Sequence, residues 1–114
     1  MGILNLFFPR PLDTRVNGFD WDAGNQVKCQ KHGVPIAIIE SVFVRTVSII
    51  PDLKHSQAET RFLAIGKTEE GRGVFLAFTL RRKGNAVLIR PVSARYMSQQ
   101  ETTRYDQTPA PFDH

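Results

Sequence analysis

Three apolar segments separated by two short glycine-bearing gaps constrain the fold of this chain more than any other feature. They are "RFLAIGK" at 61–67, "GVFLAFTLR" at 73–81 and "AVLIRPVSA" at 86–94, with only "TEEGRG" and "RKGN" between them. Each has strand length and is rich in β-branched or aromatic residues. Gaps this short cannot carry a parallel crossover, so the three strands are expected to pair as an antiparallel meander. "TVSII", which ends at Pro51, predicts one more strand, joined to the meander by the polar loop "PDLKHSQAET".

Helices are expected before and after this sheet. Asp22 can cap a helix that "AGNQVKCQKH" fills and Gly33 stops, with Trp21 and Val27 toward the core. Pro35 suits the first turn of a second helix, in which Ile36, Ile39, Glu40 and Phe43 follow the i, i+3, i+4, i+7 rule. Ser98, with Glu101 three residues on, is a capping box for a closing helix, "SQQETTRYDQ". The expected order is α-α-β-β-β-β-α: an α+β fold with two N-terminal helices, a four-stranded antiparallel sheet and a C-terminal helix. A single domain over residues 19–107 holds all of these elements. It leaves an N-terminal arm at 1–18, pinned by Phe7 and Phe8 or loose, and a flexible tail at 108–114.

Charge is distributed unevenly. The net charge is only +4, yet residues 71–100 contain no Asp or Glu while holding Arg72, Arg81, Arg82, Lys83, Arg90 and Arg95. A one-signed stretch of this kind favours polyanions such as nucleic acid. Arg81, Arg82 and Lys83 read as a solvated hairpin tip; Arg90 and Arg95 read as anion-binding groups. The single cysteine, Cys29, rules out an internal disulfide and suits a reducing compartment. The apolar run at 3–8 is too short for a signal-peptide core or a membrane span, so a cytoplasmic protein without a membrane partner is expected.

Neither a metal nor another cofactor is expected. "CQKH" sets Cys29 and His32 at C-x-x-H spacing, but a structural zinc needs four ligands, and only His55 and Asp52 are plausible additions. Phosphate-binding glycine loops and a nucleophile elbow are missing. These residues suit a phosphodiester that carries its own nucleophile, the 2′-hydroxyl of RNA. Its cleavage needs a base, a donor for the leaving 5′-oxygen and cations on the pentavalent phosphate. Arginine binds phosphate oxygens bidentately. Strand alternation puts Arg61 on one face with Leu63 and Ile65, and Arg90 with Leu88 and Val92, while Arg95 follows at the strand end. Pro91 removes a ladder amide, which predicts a strand edge or a bulge that re-aims a neighbour. His55, in the polar loop, is an accessible proton carrier. Lys28, Lys31 and His32 share one helical face, although cations in a last turn are also explained by the helix dipole alone.

"FDWDAGNQVKCQKHGV", "PDLKHSQAETRFLAIGKTEEGRGVFLAFTLR" and "LIRPVSARYMSQQETTRY" occur in this order and together resemble the BrnT family of bacterial toxins, over residues 19 to about 105. The resemblance implies a small ribonuclease with a RelE-like fold, the toxin half of a type II toxin–antitoxin pair, which cleaves RNA without metal and inhibits translation. It also implies a BrnA-type antitoxin that neutralises the toxin by direct binding and connects the pair to operator DNA. Taken with the phosphodiester argument, the expected catalytic residues are Arg61, Arg90, Arg95 and His55. The expected RNA contacts are Lys28, Lys31, His32 and Tyr96. The chain most resembles the branch with "CQKHGV" and "RP-[IV]-SARYM", and departs from it at Ser98 and Gln100, where that branch usually carries a histidine and a basic residue. The alternative is therefore a catalytically weakened homologue that keeps antitoxin binding and operon regulation.

Overall fold

In the computed structural model, which describes residues 6–8, 12, 14–45, 47–52, 54 and 59–107, strands and not helices open the chain. β1 (Leu6–Phe8) and β2 (Thr14–Val16) form a two-stranded antiparallel sheet, and β3 (Gly18–Phe19) follows. Then come α1 (Ala23–Cys29), α2 (Ile36–Val44), β4 (Ser48–Pro51), β5 (Phe62–Lys67), β6 (Gly73–Lys83), β7 (Ala86–Tyr96) and α3 (Gln99–Gln107). The main sheet has five strands in the order β3-β7-β6-β5-β4. It is mixed, because β3 runs parallel to β7 and pairs Gly18 with Leu88 and Phe19 with Ile89.

The architecture is α+β, but the N-terminal strands overturn the expected RelE-like layout of two leading helices and a four-stranded antiparallel sheet. A two-residue strand has no periodicity to read, and β3 is held by what β7 offers it. The Asn17 and Asp20 amides donate to the carbonyls of Val87 and Ile89, each at 2.8 Å. The Val87 amide returns a bond to Asn17 Oδ1 at 2.9 Å.

The meander itself is present and runs past its apolar segments. Alternation along β6 sends Val74, Leu76 and Phe78 into the core, where Ile39, Val42 and Phe43 of α2 meet them. Phe78 is fully buried among Phe8, Phe43 and Phe62, with ring centroids 6.3, 5.1 and 5.6 Å away. Burying such a side chain stabilises the fold by roughly 1.5–3 kcal/mol. Phe8 and Val16 belong to the same core, so the β1–β2 hairpin packs against the sheet, whereas Phe7 is half-exposed beside Arg15.

One core assignment changes. Val27, expected inside, is 74% exposed. α1 stops at Cys29 instead of reaching His32, and in so short a helix the inward positions go to Asn25 and Cys29. Trp21 is partly buried as expected, but its Nε1 donates to Glu40 Oε2 at 2.9 Å. Glu40 therefore anchors the chain before α1, and the apolar stripe of α2 runs beside it.

The register of β6 and β7 slips between Ala77 and Phe78: Ala77 pairs Ser93, Phe78 pairs Pro91, and Val92 is left over as a bulge. α1 lies along the β7 edge beyond the end of β3. There Asn25 Nδ2 donates to the carbonyls of Asp20 and Pro91, both at 2.9 Å, standing in for a ladder amide. At the other end of β7, α3 begins with the expected capping box. The Ser98 amide donates to Glu101 Oε1 at 3.0 Å and the Glu101 amide to Ser98 Oγ at 3.1 Å. Tyr105 then hydrogen-bonds Ser48 at 3.0 Å, and Asp106 pairs with Lys67 at 2.6 Å. The tail at 108–114 lies outside the described residues. Among those described, no helix is long and apolar enough to cross a membrane.

Candidate functional site

Residues paired across a rung share one side of a sheet. Leu63, Ala77 and Ser93 form one such rung, and Ile65, Phe75 and Arg95 the next, on the side turned away from Leu76 and Phe78. α3 covers one end of this side through its bond to Ser48, the rung partner of Ile65. The turn after α1 brings His32 toward it from the β7 edge. Between them lies a groove of about 300 Å³ lined by His32, Leu63, Phe75, Ala77, Ser93 and Arg95. A second hollow, of about 370 Å³, is lined by Arg45, Gly66, Lys67 and Tyr105 and contains none of the expected site residues.

The arginines of the acid-free stretch do not form an acid-free surface. Arg95 Nη1 and Nη2 donate to the two carboxylate oxygens of Glu101 at 2.9 and 3.0 Å. Its guanidinium carbon packs 4.4 Å from the centre of the Phe75 ring. The Arg95 hydrogen bonds, followed by the Ser98 amide, pull the Glu101 carboxyl down to about 2, and the same pair raises the pKa of Arg95. Arg90 is engaged on both sides: Nη2 lies 2.9 Å from Asp22 and Nη1 3.4 Å from Asp20. Asp20 also accepts from Lys83 at 3.0 Å. Asp22 caps α1 as well, accepting from the Asn25 amide at 2.9 Å. That amide first, and Arg90 second, hold the Asp22 carboxyl below its ordinary value. Arg81, expected at a solvated tip, grips Glu59 with two bonds of 3.1 and 2.8 Å. Asp20, Asp22 and Glu59, remote in sequence, and Glu101, just past the stretch, thus pair with Arg81, Lys83, Arg90 and Arg95.

Of the expected site residues, the structure brings His32 and Arg95 together in one groove. Arg61 is partly buried just before β5, and alternation places it on the Leu63 side one rung further on. Arg90 sits apart, against the first turn of α1. Lys28 and Lys31 are exposed on α1 and the turn after it. Tyr96 faces the opposite side from Arg95, with Arg72 3.6 Å above its ring. His55 lies outside the described residues. Cys29 is fully buried, and burial pushes its thiol up to about 11, which removes it as a nucleophile at neutral pH. Among the described residues, no group of three His, Cys, Asp or Glu side chains is placed to hold a metal ion. Phe75 and Ser93 were missed by sequence reasoning. Their signal is there in the alternation about the "RKGN" turn, once the bulge is counted.

One protein-family model matches the chain over residues 21–101, and its description is ribonuclease toxin, BrnT, of type II toxin-antitoxin system. The match begins after β3, and all six residues named as lining the groove fall inside it. No curated protein matches the chain.

Proposed function

Because the chain belongs to the BrnT family of ribonuclease toxins from type II toxin–antitoxin systems, we propose that it cleaves RNA internally, without a metal ion, at the groove between His32 and Arg95, and so inhibits translation. A toxin of this type has RNA as its substrate and an antitoxin as its partner. The observation that most supports the placement is that His32 and Arg95, distant in sequence, line one groove with the Ser93 hydroxyl.

The chemistry follows from the groups available. His32 accepts the proton of the attacking 2′-hydroxyl, which leaves the 3′-phosphodiester poised for in-line attack. The 2′-oxygen bonds to phosphorus as a 2′,3′-cyclic phosphate, the P–O5′ bond breaks, and the leaving 5′-oxygen takes its proton from His55 or back from the His32 imidazolium. Arg61 stabilises the charge that builds on phosphorus, and Lys28 and Lys31 attract the backbone before it docks. Arg90 contributes by holding α1, and with it His32, against β7. A BrnA-type antitoxin neutralises the protein by direct binding and carries the pair to operator DNA.

A second reading is favoured by one observation: Arg90 and Arg95 both give their charge to carboxylates. In that reading the chain is a catalytically weakened toxin that retains antitoxin binding and operon regulation. Inducing the chain alone in bacteria, while following growth and bulk RNA, separates the two. The enzyme reading expects growth arrest, RNA fragmentation, relief by the antitoxin and in vitro cleavage that a chelator leaves intact. A folded protein that neither arrests growth nor cuts RNA in vitro rejects it in favour of the second.

A further inference from the structure

Arg95 occupies the groove in a way that does not suit a phosphate ligand. Its two terminal nitrogens are filled by Glu101 at 2.9 and 3.0 Å, and its guanidinium is packed over Phe75 at 4.4 Å. A phosphate approaching that edge would meet the Glu101 carboxylate. The side chain is 49% exposed, and its second planar face is turned away from Phe75. Around it the floor carries apolar side chains, Leu63 and Ala77, with the polar side chains of Ser93 and His32 beside them. An apolar floor, a planar cation whose Nη edge is taken by Glu101 and two hydrogen-bonding groups at the rim match a flat heteroaromatic ring. They do not match a phosphodiester.

We propose that this groove is a nucleobase subsite, in which one unstacked base of a single-stranded RNA lies on the outer face of the Arg95 guanidinium, with its edge toward Ser93 and His32. Guanidinium planes and aromatic rings are the usual stacking partners of splayed-out bases, and a base inside a duplex cannot reach such a surface. Phe75 and Glu101 are positioning residues: one supports the guanidinium from below, the other fixes its rotation. The subsite sets where the chain is cut, because the base that occupies it places the neighbouring 2′-hydroxyl beside His32. It rests on the ribonuclease reading above and adds to it the demand for a base at one defined position.

The test is a cycle between protein and RNA. Binding is measured by fluorescence anisotropy with short single-stranded 2′-O-methyl oligoribonucleotides, one complete and a series each lacking a single base. Cleavage of unmodified RNA is followed in parallel. The protein is compared with Arg95→Lys, which keeps the charge and the Glu101 partner but has no planar face. One abasic position is expected to weaken binding roughly tenfold. Arg95→Lys should show a similar loss on the complete RNA and no further loss at that abasic position. Phe75→Leu gives the same cycle if Arg95→Lys fails to fold. Uniform tolerance of abasic positions, or an Arg95→Lys loss that persists in full on every abasic strand, overturns the subsite while cleavage stands. A folded wild-type protein that neither cuts nor binds RNA removes the ribonuclease reading and the subsite together.

Discussion

Arg90 Nη2 lies 2.9 Å from Asp22 Oδ2, and through that ion pair β7 holds the first turn of α1. The same carboxylate receives the Asn25 amide, while Asn25 reaches back to the Pro91 carbonyl. Cap, ion pair and strand edge are therefore one unit. Its parts separate by substitution.

Asp22→Asn keeps a good capping side chain and loses only the charge pair, whereas Asp22→Ala loses both. Thermal unfolding should show Tm lowered in both variants, and more in Asp22→Ala. Equal losses would assign the whole effect to Arg90 and none to the cap.

Arg90→Ala leaves the Asp20 side chain, 10% exposed, with Lys83 as its remaining partner among the described residues. Urea unfolding should show a loss of about 1–3 kcal/mol, the cost of leaving a desolvated polar group poorly paired. A variant that loses RNA cleavage at full stability would instead return Arg90 to the catalytic set.

Glu101 has a carboxyl pKa depressed to about 2 from an ordinary value near 4.5. A depressed acid stabilises the fold fully above its unfolded pKa, and that contribution is lost as pH falls through the folded one. The Arg95–Glu101 latch should thus be complete at neutral pH and disappear between about 4.5 and about 2. Carboxyl-carbon NMR reads the midpoint directly; an unshifted Glu101 would mean that the latch does not form in solution.

Gly73 is buried where a Cβ would press on the Met97 sulfur and lie 3.0 Å from Thr102 Oγ1. Gly73→Ala must displace Met97, whose amide donates to the Gly73 carbonyl at 2.9 Å. The expected loss is about 1–3 kcal/mol by denaturant unfolding. Hydrogen exchange should rise first in α3.

His32→Gln should leave stability unchanged, since the side chain is exposed, and slow single-turnover RNA cleavage by about a hundredfold or more. An unchanged rate moves the proton-carrying role to His55.

Local patterns were readable where the chain satisfies itself nearby. The Ser98–Glu101 capping box, the apolar stripe of α2 and the strands on either side of "RKGN" all rest on contacts within a few residues or one turn. β3 was not legible, because two residues carry no period and its hydrogen bonds come from β7. The basic run misled for the same reason. Asp20, Asp22, Glu59 and Glu101 lie outside residues 71–100 and close on it only in three dimensions. Val27 was misplaced because the Asn25 bonds to the Asp20 and Pro91 carbonyls set the inward face of α1, which Asn25 and Cys29 occupy. Of the site, the residue types were visible, but the union of His32 with Arg95 depends on α1 lying along the β7 edge.

The parallel pairing of β3 with β7 also bears on when the molecule comes into being. Asn17 bonds to Val87, and Asp20 to Arg90, each across 70 residues of chain. Contacts that span most of a sequence form late, since the intervening loop must close before they yield anything. On a ribosome, α1 has no edge to lie along until β7 has emerged, and Arg95 has no latch until Glu101 follows. The groove is thus among the last parts of this protein to take shape, and it has no latch until α3 follows β7.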